Sequence, residues 1–173
     1  MKILPRTPTP ELAVETVKHG SWNLAGQKPE HLTLVVFYRG HHCPLCKKQL
    51  QEFERLLPDF KKHGIDLVAI SSNTRELAEK SVAEWEISEL PVGYGLTIEK
   101  ALEWGLFVSN AVKETEPAQF TEPGLFAIAP DGTLYASMVQ TMPFSRPTGR
   151  QLLNSLSYIV ENGYPARGEA QVG

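Results

Sequence analysis

Leu34-Val35-Val36-Phe37-Tyr38-Arg39-Gly40-His41-His42-Cys43-Pro44-Leu45-Cys46 runs from an unbroken apolar stretch through a short loop into a pair of cysteines. From Leu32 to Tyr38 the β-branched and aromatic residues leave neither face polar, as in a central strand covered on both sides. The strand is expected over His31 to Arg39. Both cysteines then fall at the start of the next helix, where backbone N–H groups lack partners and the helix dipole is positive. Each effect favours thiolate over thiol, and the thiolate is the reactive species.

Outward from this junction the chain alternates. Cys43 to Lys62 reads as a helix, with Cys46, Leu50, Phe53, Leu57 and Phe60 recurring at three and four residues. Pro58 should bend or weaken it, and Gly64 ends it. Ile65 to Ser71 is a second strand, followed by a helix through about Glu86, for which Asn73 and Glu76 fit a capping box. Strand, helix and strand in this order imply a parallel pair with a right-handed crossover. Leu90 to Tyr94 is short and extended, Ile98 to Trp104 helical, and Phe107 to Thr121 reads mostly as loop. Leu125 to Ala129 and Thr133 to Gln140 flank Pro130-Asp131-Gly132, a tight turn that predicts an antiparallel hairpin. Thr148 and Gln151 cap a last helix over Gly149 to Asn162, which buries Leu152, Leu153, Leu156, Ile159 and Val160 and stops at Gly163. Before all this, Glu11 to His19 looks like a short helix after a Pro-rich leader. The expected fold is α/β, a central mixed sheet with helices on both faces in the thioredoxin-like order. It forms one domain over 1–173, with an N-terminal extension over 1–20 and a surface tail over 164–173.

Composition narrows the chemistry. The 173 residues are 42% hydrophobic and 21% charged, with net charge −3. A chain of this size buries about 70% of its unfolded surface as a single domain. With no basic block there is no sign of nucleic-acid binding, and the apolar runs are too short to span a membrane. No secretory signal is visible at Met1 to Pro8, so a cytoplasmic setting is expected. Two cysteines three apart close too small a loop to staple a scaffold. In a reducing compartment such a pair reads as catalytic or metal-binding.

For catalysis, position matters most. Cys43, near the N-cap, should be partly exposed and acidic. Cys46, one turn in, should be buried and able to attack a mixed disulfide on Cys43. Pro44 suits the first helical turn, where its missing N–H would be unpaired anyway. Arg39, Lys47 and Lys48 are the charged residues nearby, with His41 and His42 beside them and no acid. Positive neighbours lower a thiol into a range of roughly 3.5 to 7.5. Three other readings use the same residues: a structural disulfide or packed thiols, a zinc or copper site on His42, Cys43 and Cys46, and a non-catalytic redox sensor. For that sensor, apolar residues of Phe107 to Thr121 would form the contact surface. His41 and His42 read as loop residues that tune the local field rather than as proton-transfer groups.

The segments Phe37 to Cys46, Val68 to Ser71 and Gly124 to Gly132 resemble the alkyl hydroperoxide reductase and thiol-specific antioxidant (AhpC/TSA) superfamily, in its peroxiredoxin-like C-x-x-C branch. Met142 to Pro147 and Tyr164 to Gly168 share the likeness. The resemblance implies that Cys43 attacks the peroxide O–O bond and Cys46 resolves the sulfenic acid as a disulfide. It also implies reset by a thioredoxin-type or low-molecular-weight thiol donor, no metal, haem or flavin, and a chain able to pair as a homodimer. The substrate that the resemblance implies is a peroxide or a protein disulfide.

Two positions depart from the family pattern. Gly40 stands where a Thr or Ser would hydrogen-bond the peroxide. Pro123 stands where an Arg would hold thiolate and peroxide, which leaves Arg39 or Arg146 to supply a guanidinium. The spacing from Pro123 through Phe126 to Asp131-Gly132 also resembles the cis-proline that faces the nucleophile in thioredoxin-like reductases. A trans proline merely starting a strand is the alternative.

Overall fold

A computed structural model describes residues 2–171. Its strands are β1 (Ala13–Thr16), β2 (Ser21–Asn23), β3 (Leu32–Phe37), β4 (Ile65–Ile70), β5 (Val92–Tyr94), β6 (Val108–Asn110), β7 (Gln119–Thr121), β8 (Gly124–Ile128) and β9 (Leu134–Val139). The helices are α1 (Pro44–Lys62), α2 (Arg75–Glu84), α3 (Ile98–Glu103) and α4 (Gly149–Asn162).

Seven strands form one sheet in the order β2-β1-β5-β4-β3-β8-β9. The β3–β4 and β4–β5 pairs are parallel; β8 runs antiparallel to both β3 and β9. The central strand β3 is buried at every position, as an apolar run with no alternation requires. Its side chains split by parity. Leu34, Val36 and Tyr38 join the core that α1 and α4 cover through Leu50, Phe53, Phe60, Leu152 and Leu156. Val35 and Phe37 join the opposite core with Val68, Ile70, Phe126 and Trp104, where α3 contributes Ala101. Each fully buried side chain of this kind contributes about 1.5–3 kcal/mol. The mixed sheet with helices on both faces is therefore the expected α/β, thioredoxin-like arrangement.

Three local expectations are corrected. Glu11 to His19 is not helical: Ala13–Thr16 pairs antiparallel with both β2 and β5. There the alternation of exposed and buried positions, ending on buried Thr16, has the two-residue period of a strand. Within Phe107 to Thr121, β6 and β7 form a separate two-stranded sheet, with Ser109 opposite Phe120. The N-cap of α2 is Thr74, whose hydroxyl accepts from Leu77 N at 3.3 Å; Asn73 is buried and serves elsewhere. α1 runs through Pro58 to Lys62, the end expected from the sequence.

The capping box of α4 forms as expected, with Thr148 Oγ1 accepting from Gln151 N at 3.1 Å and Gly163 in the left-handed conformation. The tail beyond α4 is tied back through Tyr164 O, which accepts from Tyr135 Oη at 2.7 Å, and Ala166 O, which accepts from Arg6 Nη2 at 2.9 Å.

Candidate active site

The end of β3 delivers the chain into the Arg39–His42 loop, and α1 begins at Pro44 with Cys43 as its N-cap. In that extended conformation Cys43 Sγ accepts the Cys46 N–H at 3.2 Å, so sulfur takes the capping role usually filled by oxygen. Both cysteines are free thiols and both are buried. Cys46 was expected inside. Cys43 was expected to be partly exposed, but it is only 2% exposed. The reason lies a hundred residues away, in the segment between β9 and α4.

From that segment Arg146 reaches over both sulfurs. Its Nη2 lies 3.4 Å from Cys43 Sγ and its Nη1 3.2 Å from Cys46 Sγ. The same guanidinium is anchored on its other donors: Nη1 to Gln49 Oε1 at 3.1 Å and Nε to Pro143 O at 2.9 Å. The strap carrying it is folded on itself by Gln140, whose side-chain amide donates to Met142 O and Ser145 O.

These contacts split the two thiols. The hydrogen bond from Cys46, aided by Arg146, outweighs burial and brings Cys43 down to about 5. Burial pushes Cys46 well above the ordinary thiol value, and the neighbouring Cys43 charge adds to this. One sulfur is held ionised while the other keeps its proton. This is the asymmetry that a nucleophile and a resolving thiol require.

The other expected residues lie around this pair. Arg39, the second candidate guanidinium, is turned to Glu122, with Nε 3.1 Å from Oε2, and lies over the Phe120 ring at 4.9 Å. His42 stands edge-on to Phe120 at 4.6 Å, and burial with the Arg39 charge lowers its pKa, so it is neutral at pH 7. Among the described residues, no group of three or more His, Cys, Asp and Glu is disposed to hold a metal ion. Pro44 occupies the first helical position. The bond preceding Pro123 is trans, as are all described peptide bonds. Pro123 leads into β8, whose Gly124 pairs with Phe37 at the end of β3. Of the two open readings of Pro123, the structure has the trans proline that starts a strand.

Gln49, Asn73 and Glu122 are further buried polar residues beside the site; of these only Asn73 figures in the sequence reading, and there as a helix cap. Asn73 Oδ1 accepts from His41 N at 2.8 Å. A signal existed for Gln49: it sits three residues after Cys46 within an otherwise apolar stripe. Glu122, next to Pro123, carried no such pattern.

Comparison with known proteins bears on the family and the fold. A 72-residue segment, 42% of this chain, is 26% identical to the thiol-disulfide oxidoreductase ResA of Halalkalibacterium halodurans. It spans only 36% of that relative's length. Among solved structures, reduced Prx3 from Vibrio vulnificus in complex with hydrogen peroxide superposes with a TM-score of 0.75 at 13% identity, over 90% of this chain and 99% of that one. The peroxidoxin BcpB of Mycobacterium tuberculosis gives 0.71 at 13% identity, over 94% and 99%. At such identities the superpositions show a shared fold. No helix among the described residues is long and apolar enough to cross a membrane. The AhpC/TSA family model matches residues 5–137, which include the β3–α1 junction and both cysteines, and the chain belongs to that family of thiol-dependent oxidoreductases.

Proposed function

We propose that Cys43 and Cys46 form a dithiol–disulfide couple that reduces peroxides or protein disulfides, with Cys43 as nucleophile and Cys46 as resolving thiol. The observation that carries this reading is the single guanidinium of Arg146 set 3.4 and 3.2 Å from the two sulfurs. In the first step the Cys43 thiolate attacks the terminal oxygen of a hydroperoxide. An S–O bond forms, the O–O bond breaks, and alkoxide leaves, giving a sulfenic acid. With a disulfide substrate the same sulfur forms a mixed disulfide and expels one thiolate.

Cys43 is then no longer an anion, so the repulsion that helps keep Cys46 protonated is gone while Arg146 remains. Cys46 gives up its proton and attacks the Cys43 sulfur. Hydroxide leaves as water with that proton, or the second substrate thiolate leaves, and the internal disulfide forms. A thioredoxin-type or low-molecular-weight thiol resets the pair. Arg146 fills the electrostatic part left open by Pro123, while Gly40 offers no hydroxyl to a bound peroxide.

Near-complete burial of Cys43 supports the smaller substrate. Stopped-flow oxidation of the reduced protein by hydrogen peroxide and by a small disulfide tests the proposal. At least one should oxidise Cys43 faster than it oxidises a free thiol at the same pH. Failure of both would sink it.

A further inference from the structure

We infer that Gln49 is a positioning residue that holds the Arg146 guanidinium over the two sulfurs without neutralising it, an inference that rests on the proposed role of Arg146. Gln49 projects from α1 one turn beyond Cys46 and is only 8% exposed. A polar side chain so buried costs stability unless it is paired. Its Oε1 takes the same Nη1 that faces Cys46. A guanidinium has five N–H donors in a rigid plane. With Nε fixed by Pro143 O and Nη1 by Gln49 Oε1, the plane is locked, so that Nη1 also faces Cys46 Sγ and Nη2 faces Cys43 Sγ.

The neutrality of the amide is what matters. A carboxylate at this position would hold the guanidinium equally well but would cancel the charge that Cys43 uses. The acid that lines this rim, Glu52, turns its Oε1 to Arg150 N, from which it accepts at 3.0 Å. Among the described residues, the other ionisable groups facing Cys43 are Cys46, Arg146 and His42, with Tyr38 against Cys46 and Lys48 at the rim.

The test is the pH profile of Cys43 alkylation in Gln49→Met, Gln49→Glu, Arg146→Met and the Gln49→Met/Arg146→Met double variant. Gln49→Met keeps length and burial but removes the acceptor. It should raise the midpoint by about 1 pH unit, a roughly ten-fold loss of reactivity on the acid side. Gln49→Glu should raise it at least as far. In the Arg146→Met background, Gln49→Met should add nothing, since the two act as one unit.

An unchanged profile in both Gln49 variants overturns the inference. So does an equal effect of Gln49→Met with and without Arg146. If Arg146→Met itself leaves the profile unchanged, the reading of Arg146 fails instead. Should Gln49→Met not fold, Gln49→Leu in the two Arg146 backgrounds decides the same question, since a neutral side chain without an acceptor can act on Cys43 only through Arg146 and its effect must vanish when Arg146 is gone.

Discussion

The backbone N–H of His41 donates to Asn73 Oδ1 at 2.8 Å, tying the loop that precedes the nucleophile to the segment that leaves β4. Asn73 is set for this by its own N–H, which donates to Ser71 Oγ at 3.2 Å, and by its carbonyl, which accepts from Gly95 N at 2.8 Å. Gly40 must pass close beneath. Its φ is +136°, and a Cβ there would lie 2.6 Å from Asn73 Nδ2. Gly40→Ala is therefore expected to destabilise the protein by about 1–3 kcal/mol and to slow Cys43 alkylation. Urea unfolding and alkylation rates check this; an unchanged rate would show that the Asn73 tie does not position Cys43.

That tie also explains what the sequence hid. The β3–α1 junction, the parallel crossover and the capping box of α4 were legible because each is written in a few consecutive residues. The partners of the sulfurs were not. Arg146 reaches Cys43 from 103 residues away, and Asn73 presents the short-range pattern of a cap while serving a loop 32 residues upstream. The β1–β2 hairpin was misread because its strands are three and four residues long, too short for periodicity to separate from a helical turn.

Arg146 supplies the positive charge nearest both sulfurs. Arg146→Met should raise the midpoint of Cys43 alkylation by roughly 1–3 pH units, the effect of one opposite charge at contact distance. Arg146→Lys should recover only part of this, since an ammonium cannot span two sulfurs as a planar fork does. Iodoacetamide rates between pH 4 and 9 decide it; equal profiles for all three proteins would remove Arg146 from the site.

Ionisation of Cys43 links stability to pH. Its pKa is about 5 in the fold against 9.0 for the free thiol, so between those values the unfolded chain binds the additional proton. Stability of the reduced protein should rise with pH across that window and lose the Cys43 contribution as pH falls through 5. Cys46, raised by burial, acts in the opposite sense above pH 9. In urea unfolding, the difference between wild type and Cys43→Ser should grow from pH 5 to pH 9. A constant difference would mean that Cys43 is not ionised in the fold.

The two cysteines should fail differently. Cys43→Ser is expected to abolish turnover with any substrate. Cys46→Ser should retain one oxidation event but not form the internal disulfide, so that a disulfide substrate stays attached to Cys43. Intact mass after a single equivalent of substrate distinguishes these outcomes. Undiminished multiple turnover by Cys46→Ser would refute its resolving role.

Glu122 joins the site to the β6–β7 hairpin. It is 5% exposed, pairs with Arg39 at 3.1 Å, accepts from Ser109 Oγ at 2.7 Å through Oε1, and donates its N–H to Phe107 O at 2.8 Å. Glu122→Ala would strand the Arg39 charge against the Phe120 ring. Removing one partner of a buried pair costs about 3–5 kcal/mol, and the low end applies because the Arg39 side chain keeps 16% of its exposure. Glu122→Gln should cost less, since an amide oxygen still accepts from Ser109. The Arg39→Met/Glu122→Leu double variant should regain most of the loss, because it is the unpaired charge that destabilises. If the double variant is instead as unstable as Glu122→Ala, the hairpin depends on the shape and hydrogen bonds of Glu122 rather than on its charge.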